Sequence, residues 1–177
     1  MHMFSLPPPQ VSLSLLLSAA AAFSDLRRQR IPNHLTVSAA AAGVFLMLYT
    51  YGPSGLLYWG AGLLLPVLLF GPLFRFRMAG AGDIKLLCAL GSLNGPAICL
   101  RLIVKSVLLG GLGALLLAAK RRILVERLMA FFSYVRERRA SGTLRPYLPS
   151  VPPEARLPFA LPVLCAVLWE FAPWKGV

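Results

Sequence analysis

The sequence predicts an all-α integral membrane protein, a bundle of about six transmembrane helices. Of its 177 residues, 58% are hydrophobic and 14% are charged, and the mean hydropathy is +0.72. Soluble domains usually carry about 25% charged residues and under 50% apolar ones. The charge that remains is basic, with 18 Lys and Arg against six Asp and Glu. In so apolar a chain, basic loops indicate membrane orientation, so we expect no nucleic-acid partner.

Six apolar stretches are candidates for membrane spans, because about 20 apolar residues in a helix cross the ~30 Å hydrocarbon core. Five are long enough or nearly so: Leu6–Ser24, Leu35–Tyr51, Leu56–Phe74, Ala97–Ala119 and Leu157–Trp174. The sixth, Met78–Asn94, is shorter and is followed by the helix breakers Gly95 and Pro96. Whether it crosses the membrane decides the topology.

Basic residues favour a crossing at Met78–Asn94. They cluster in residues 27–30, 75–85 and 120–156, and all three clusters fall on the cytoplasmic side only if this stretch spans the membrane. The prediction is therefore six spans with the N-terminus outside the cytoplasm. No Lys or Arg precedes the first apolar run, so we interpret that run as a retained span and not as a signal peptide.

The basic segment 120–156 predicts a cytoplasmic amphipathic helix. Apolar residues recur there at helical spacing with bases on the other faces, a pattern typical of a helix lying on the anionic lipids of the inner leaflet. A solvated, charged linker fits the same composition. We expect residues 1–177 to form one membrane-embedded domain.

The three cysteines, Cys88, Cys99 and Cys165, lie inside apolar runs without a C-x-x-C pair or a histidine at metal-ligand spacing. Buried small side chains explain them, and we expect neither a metal site nor a cofactor. Two bases, Arg101 and Lys105, stand inside the predicted fifth span. They either extend outward to the headgroups or face the interior of the bundle.

The chain contains two aspartates, Asp25 and Asp83, and both fall at the cytoplasmic face in the predicted topology. An ionisable group at membrane depth is a functional hypothesis by default, because placing it there is costly. When two carboxylates share a site, one keeps a proton. The ionised partner then activates a water, and the protonated partner polarises a carbonyl. Gly80 and Gly82, just before Asp83, let a substrate backbone approach closely.

Residues 80–87, GAGDIKLL, resemble the GxGD motif of type IV prepilin peptidases, and residues 25–33, DLRRQRIPN, are similar to the first-aspartate motif of that family. Residues 157–162, LPFALP, are similar to the stretch that opens the last helix of these proteins. Together the resemblance covers residues 15 to 170. One departure is the basic segment 120–156, which is longer than the loop expected there.

This resemblance implies a six-helix aspartic endopeptidase that removes the short basic leader of prepilin or pseudopilin precursors at the cytoplasmic face of the bacterial inner membrane. Carried over by position, Asp25 and Asp83 are the catalytic pair. The implied site-shaping and supporting residues are Gly80, Gly82, Lys85, Arg27, Arg28, Pro32 and Asn33. Larger members add a tetracysteine segment and methylate the new N-terminus. Without C-x-x-C, this chain resembles the small peptidases of tight-adherence (Flp) pilus systems.

Two other functions fit the same residues. A small ion- or proton-coupled transporter would also place acidic groups in the membrane, although transport sites tend to lie near the midplane. A non-catalytic pilus assembly factor would keep both aspartates for structure alone. Cleavage of a co-expressed pilin precursor separates the peptidase from both.

Overall fold

The computed structural model describes residues 8–75, 80–120 and 159–171. These residues form helices, without a strand among them, so the predicted all-α class is confirmed for this part of the chain. The helices in chain order are α1 (Pro8–Arg28), α2 (Asn33–Tyr51), a short 3-10 helix (Gly52–Ser54), α3 (Gly55–Arg75), α4 (Ala81–Lys120) and α5 (Ala160–Phe171).

Two glycines with positive φ mark the places where long helical stretches bend. Gly52 has φ 60°, and the short 3-10 helix that begins there separates α2 from α3. Gly95 has φ 79° inside α4. Because L-residues with a side chain rarely adopt such φ values, glycine is the residue expected at both positions. The break predicted at Gly95-Pro96 is therefore confirmed.

Beyond Gly95, the two halves of α4 lie against each other. The Cys99 thiol donates a hydrogen bond to the Leu87 carbonyl at 3.8 Å, and a Cβ added to Gly91 would lie 2.8 Å from the Cys99 sulfur. Contacts between residues eight and twelve positions apart are not those of a straight helix, in which such residues stand ~12–18 Å apart. The kink folds α4 back on itself.

The first half of α4 forms the centre of the molecule. Leu86, Leu87, Leu90 and Leu93 are at most 1% exposed, and α4 packs against α1, α2, α3 and α5. The closest crossing joins α3 to α4, where a Cβ on Gly62 would overlap the backbone carbonyl of Gly91. Small residues of this kind let helix backbones approach closely, as is common in membrane bundles.

Large apolar side chains cover the outside of this bundle, including Phe45, Leu57 and Leu68, each more than 70% exposed. Two helical stretches, Asn33–Pro72 and Ala81–Leu116, are long and apolar enough to cross a membrane. Ala160–Phe171 is a shorter apolar helix. Together these features indicate a membrane protein. The six crossings and the side of the N-terminus stay predictions, and the predicted amphipathic helix in 120–156 lies, beyond Lys120, outside the described residues.

The two bases of the predicted fifth span meet an acid that the sequence did not single out; Lys105 is half-buried, whereas Arg101 is exposed. The Arg101 guanidinium lies 2.9 Å from the Glu170 carboxylate, and Lys105 forms an ion pair with the same group. The Glu170 side chain is 9% exposed, compared with 22% for Lys105 and 45% for Arg101. This pairing joins α4 to α5, and it removes much of the cost of placing the charges in an apolar bundle.

Candidate active site

An open cavity of about 1120 Å³ lies at one end of the bundle. It is formed where α1 ends, where α2 and α4 begin, and where α5 begins. The cavity is lined by residues 24–33 except Arg27, by residues 80–85 except Ile84, and by Phe159. Both aspartates singled out in the sequence, Asp25 and Asp83, line this cavity.

Asp25 lies in the last turn of α1 and is half-buried. Pro32 disfavours helical backbone in the residue before it, and α1 ends at Arg28, followed by Gln29 in a left-handed conformation with φ 50°. The Ser24 hydroxyl donates to the Arg30 carbonyl at 2.9 Å and so closes the turn beside the aspartate. The Ala160 backbone N–H, at the start of α5, donates to Asp25 Oδ2 at 3.4 Å.

Asp83 lies in the first turn of α4, where the unsatisfied N–H groups of a helix favour a negative charge. Its carboxylate folds back toward Gly80, since a Cβ added there would lie 2.8 Å from Asp83 Oδ2. A side chain at position 80 would therefore displace the carboxylate. At Gly82, an added Cβ would meet Ile31 at 3.7 Å, an ordinary contact. A Cβ at position 80 would therefore act on the position of the Asp83 carboxylate, whereas a Cβ at position 82 would not.

The two carboxylates share one cavity, so their negative charges repel each other when both are ionised. Both side chains are half-buried, so each is near the apolar core and within reach of a substrate in the cavity. Two acids that repel each other when both are ionised favour the state in which one keeps a proton. That state contains a general base and a general acid at one place.

The start of α2 is tied to the start of α4 beside the cavity. Lys85 Nζ donates a hydrogen bond to Asn33 Oδ1 at 3.0 Å. Helix-capping preferences favour Asn33 or Thr36 as the cap of α2, but the N-cap residue is Pro32 and no side chain caps the helix. The Asn33 amide accepts from Lys85 instead. The hydroxyl of Thr36 donates within its own helix, to the Asn33 carbonyl at 3.0 Å.

The two neighbouring arginines of the first motif point to different places. Arg28 lines the cavity. Arg27 lies outside it, with its guanidinium 4.4 Å from the centre of the Phe23 ring. Of the residues that the resemblance implies, the cavity therefore collects all but Arg27. It also includes residues that the sequence interpretation missed, among them Gln29 and Phe159. The LPFALP stretch was the available signal for Phe159.

Comparison with known proteins gives one match. The model of the type IV leader peptidase family matches residues 12–115, which contain both aspartate motifs. A search of curated proteins and a search of solved structures each found no match. The family match covers more than half of the chain.

Proposed function

Because the chain belongs to the type IV leader peptidase family, we propose that it is an aspartic endopeptidase that cleaves the short basic leader from prepilin-like precursors. The cut takes place at the cytoplasmic face of the bacterial inner membrane, in which the chain is a multi-pass protein. One observation carries the aspartic mechanism: Asp25 and Asp83, far apart in the chain, line one cavity.

The reaction is hydrolysis of a peptide bond by the acid pair. The ionised carboxylate takes a proton from a water molecule as the water oxygen attacks the scissile carbonyl carbon. The protonated carboxyl donates to the carbonyl oxygen, on which negative charge develops. The tetrahedral intermediate collapses as the C–N bond breaks and a proton passes to the leaving nitrogen. The products are the leader with a new carboxyl group and the mature chain with a new amine.

The shape of the cavity supports a peptide substrate. It is open and lies where four helix ends meet, so an extended backbone can enter without unfolding the bundle. Gly80, exposed beside Asp83, leaves room for that backbone. The precursor's own apolar helix would lie in the membrane beside the enzyme. Arg28 and Lys85 at the cavity are basic, and anionic lipid headgroups offset their repulsion of a basic leader.

Co-expression with a prepilin precursor tests the proposal, with precursor and mature pilin separated by gel electrophoresis. We expect the wild-type chain to shorten the precursor, and Asp25→Asn or Asp83→Asn each to leave it uncut. These changes keep the size of the side chain and remove its acid chemistry, so both variants should remain in the membrane fraction with wild-type melting behaviour. Cleavage by either variant would overturn the dyad mechanism, and an uncut precursor with the wild-type chain would favour transport or assembly.

The pH dependence provides a second test. Hydrolysis needs one ionised and one protonated carboxyl, so the cleavage rate should pass through an optimum and fall on both sides of it. A rate that rises steadily with pH would be inconsistent with an acid pair.

A further inference from the structure

A pair of buried polar side chains joins α1 to α4 at a distance from the cavity. The Asn94 amide Nδ2 donates a hydrogen bond to Ser14 Oγ at 2.8 Å. The Ser14 hydroxyl is placed to donate to the Gln10 carbonyl at 2.8 Å and to Asn94 Oδ1 at 3.2 Å. Asn94 also donates to the Leu90 carbonyl at 2.8 Å, which holds its amide in place. Ser14 is fully buried and Asn94 is 5% exposed.

The positions of this pair match those of the aspartates. Ser14 lies 11 residues before Asp25, and Asn94 lies 11 residues after Asp83. Eleven residues are close to three helical turns, about 16 Å, so each polar residue shares a face with the aspartate of its own helix. Because Ser14 contacts Asn94 and because Asp25 and Asp83 line one cavity, α1 and the first half of α4 run antiparallel and in register along these faces.

We propose that Ser14 and Asn94 are positioning residues, whose hydrogen bond sets the register at which Asp25 and Asp83 meet. This inference rests on the proposed peptidase function. The physical reason is that apolar side chains in a membrane pack against each other at many registers, since lipid is as apolar as they are. A hydrogen bond between two helices is satisfied at one register alone.

The alternative register shows what the pair prevents. A slip of α1 by one turn moves its residues about 5.4 Å along the axis. Such a slip would separate Ser14 from Asn94 and break the hydrogen bond between them. Losing a hydrogen bond between buried polar groups is costly in an apolar bundle. The slip would also move Asp25 by the same distance from Asp83, beyond hydrogen-bond reach of a shared substrate.

Ser18 supplies a matched control on the same helix. It is fully buried like Ser14, but its hydroxyl donates to the Leu15 carbonyl of its own helix at 3.0 Å. Removing this hydroxyl therefore removes a hydrogen bond within α1 and leaves the register between α1 and α4 unchanged. If burial of a serine were all that mattered, Ser14→Ala and Ser18→Ala would behave alike.

The test measures kcat and KM for precursor cleavage by purified full-length variants. We expect Ser14→Ala and Asn94→Ala each to lower kcat about tenfold, or ~1.4 kcal/mol in the activation barrier. KM should stay within a factor of about two, and the double variant should be no slower than the slower single variant, because both changes remove one interaction. Ser18→Ala should keep kcat within about twofold of the wild type.

A covalent link separates failure of the register idea from failure of the peptidase proposal. In a chain whose three native cysteines are replaced by alanine, S14C/N94C should be as slow as the double alanine variant when reduced. Oxidation by dissolved oxygen with a copper–phenanthroline catalyst, which joins the two thiols directly as a disulfide, should restore kcat, and mass spectrometry reports the link even if no substrate is cut. Unchanged kcat in both alanine variants, an equal loss in Ser18→Ala, or no recovery on linking would overturn the inference. A wild-type chain that cuts no precursor overturns the peptidase proposal instead.

Discussion

Glu170→Gln is expected to destabilise the bundle, because this acid pairs with two bases of α4. Lys105 and Arg101 both form ion pairs with the Glu170 carboxylate, and Lys105 also lies 6.0 Å from the centre of the Trp169 ring. The glutamine keeps the size of the side chain and removes its charge. Two cations then stand in an apolar bundle without a counter-charge from position 170.

The size of the effect follows from how exposed each partner is. Removing one member of a fully buried ion pair costs about 3–5 kcal/mol, and an exposed pair is worth about 0–1 kcal/mol. Lys105 is 22% exposed and Arg101 is 45% exposed. The energy of the Lys105–Glu170 pair therefore lies between these limits, and that of the Arg101–Glu170 pair lies near the lower one. We expect a loss of about 2 kcal/mol, close to a thirtyfold shift of the unfolding equilibrium.

Unfolding in detergent micelles, followed by circular dichroism, measures this loss. Arg101→Gln should cost about 0.5 kcal/mol, because Glu170 keeps Lys105 as a partner and Arg101 is the more exposed of the two bases. The double variant K105M/E170Q should recover part of the stability lost in Glu170→Gln, because it no longer leaves the lysine charge buried. If Glu170→Gln is as stable as the wild type, or if Arg101→Gln costs more than Lys105→Met, the ion pairs do not stabilise the bundle in this way.

Three further predictions concern packing and the cavity. Gly62→Ala should lower the melting temperature by several degrees, because the new Cβ overlaps a backbone carbonyl of α4, whereas Gly60→Ala, with nothing within 4 Å of its Cβ, should not. Gln10→Met should raise the melting temperature, because the Gln10 amide is buried without a hydrogen-bond partner among the described residues; a lower value would mean that the amide is satisfied. Arg28→Gln should change the KM for precursor cleavage. Arg27→Gln should leave it unchanged, because the Arg27 side chain lies on Phe23 outside the cavity. Equal effects of the two changes would contradict the assignment of Arg28, and not Arg27, to the cavity.

Much of the helical architecture follows from local signals in the sequence. Apolar runs predicted helices, and Gly95 followed by proline predicted the break that folds α4 back on itself. Asp25 and Asp83 stood out because they are rare and placed at the ends of apolar runs. The structure brings both to one cavity, and their catalytic role stays a prediction.

The contacts that were missed join residues far apart in the chain. Nothing local to Glu170 identifies Lys105 as its partner, 65 residues away, and nothing near Ser14 indicates Asn94. Pairings of this kind depend on how complete helices pack, which no window of sequence contains. Local rules also failed at Asn33. Its side chain does not cap α2 but accepts a hydrogen bond from Lys85, which lies on a different helix.

The hydrogen bond from the Ala160 N–H to Asp25 has a consequence for the order in which the protein is made. Asp25 leaves the ribosome early, and its partner on α5 follows 135 residues later. Phe159, which closes part of the cavity, arrives at the same moment. A nascent chain that already carries both aspartates thus lacks Phe159 as one wall of the cavity, and lacks the Ala160 N–H as a hydrogen-bond donor to Asp25, until α5 has been made and docks. The cavity around the two acids is therefore complete only after α5 has joined the bundle.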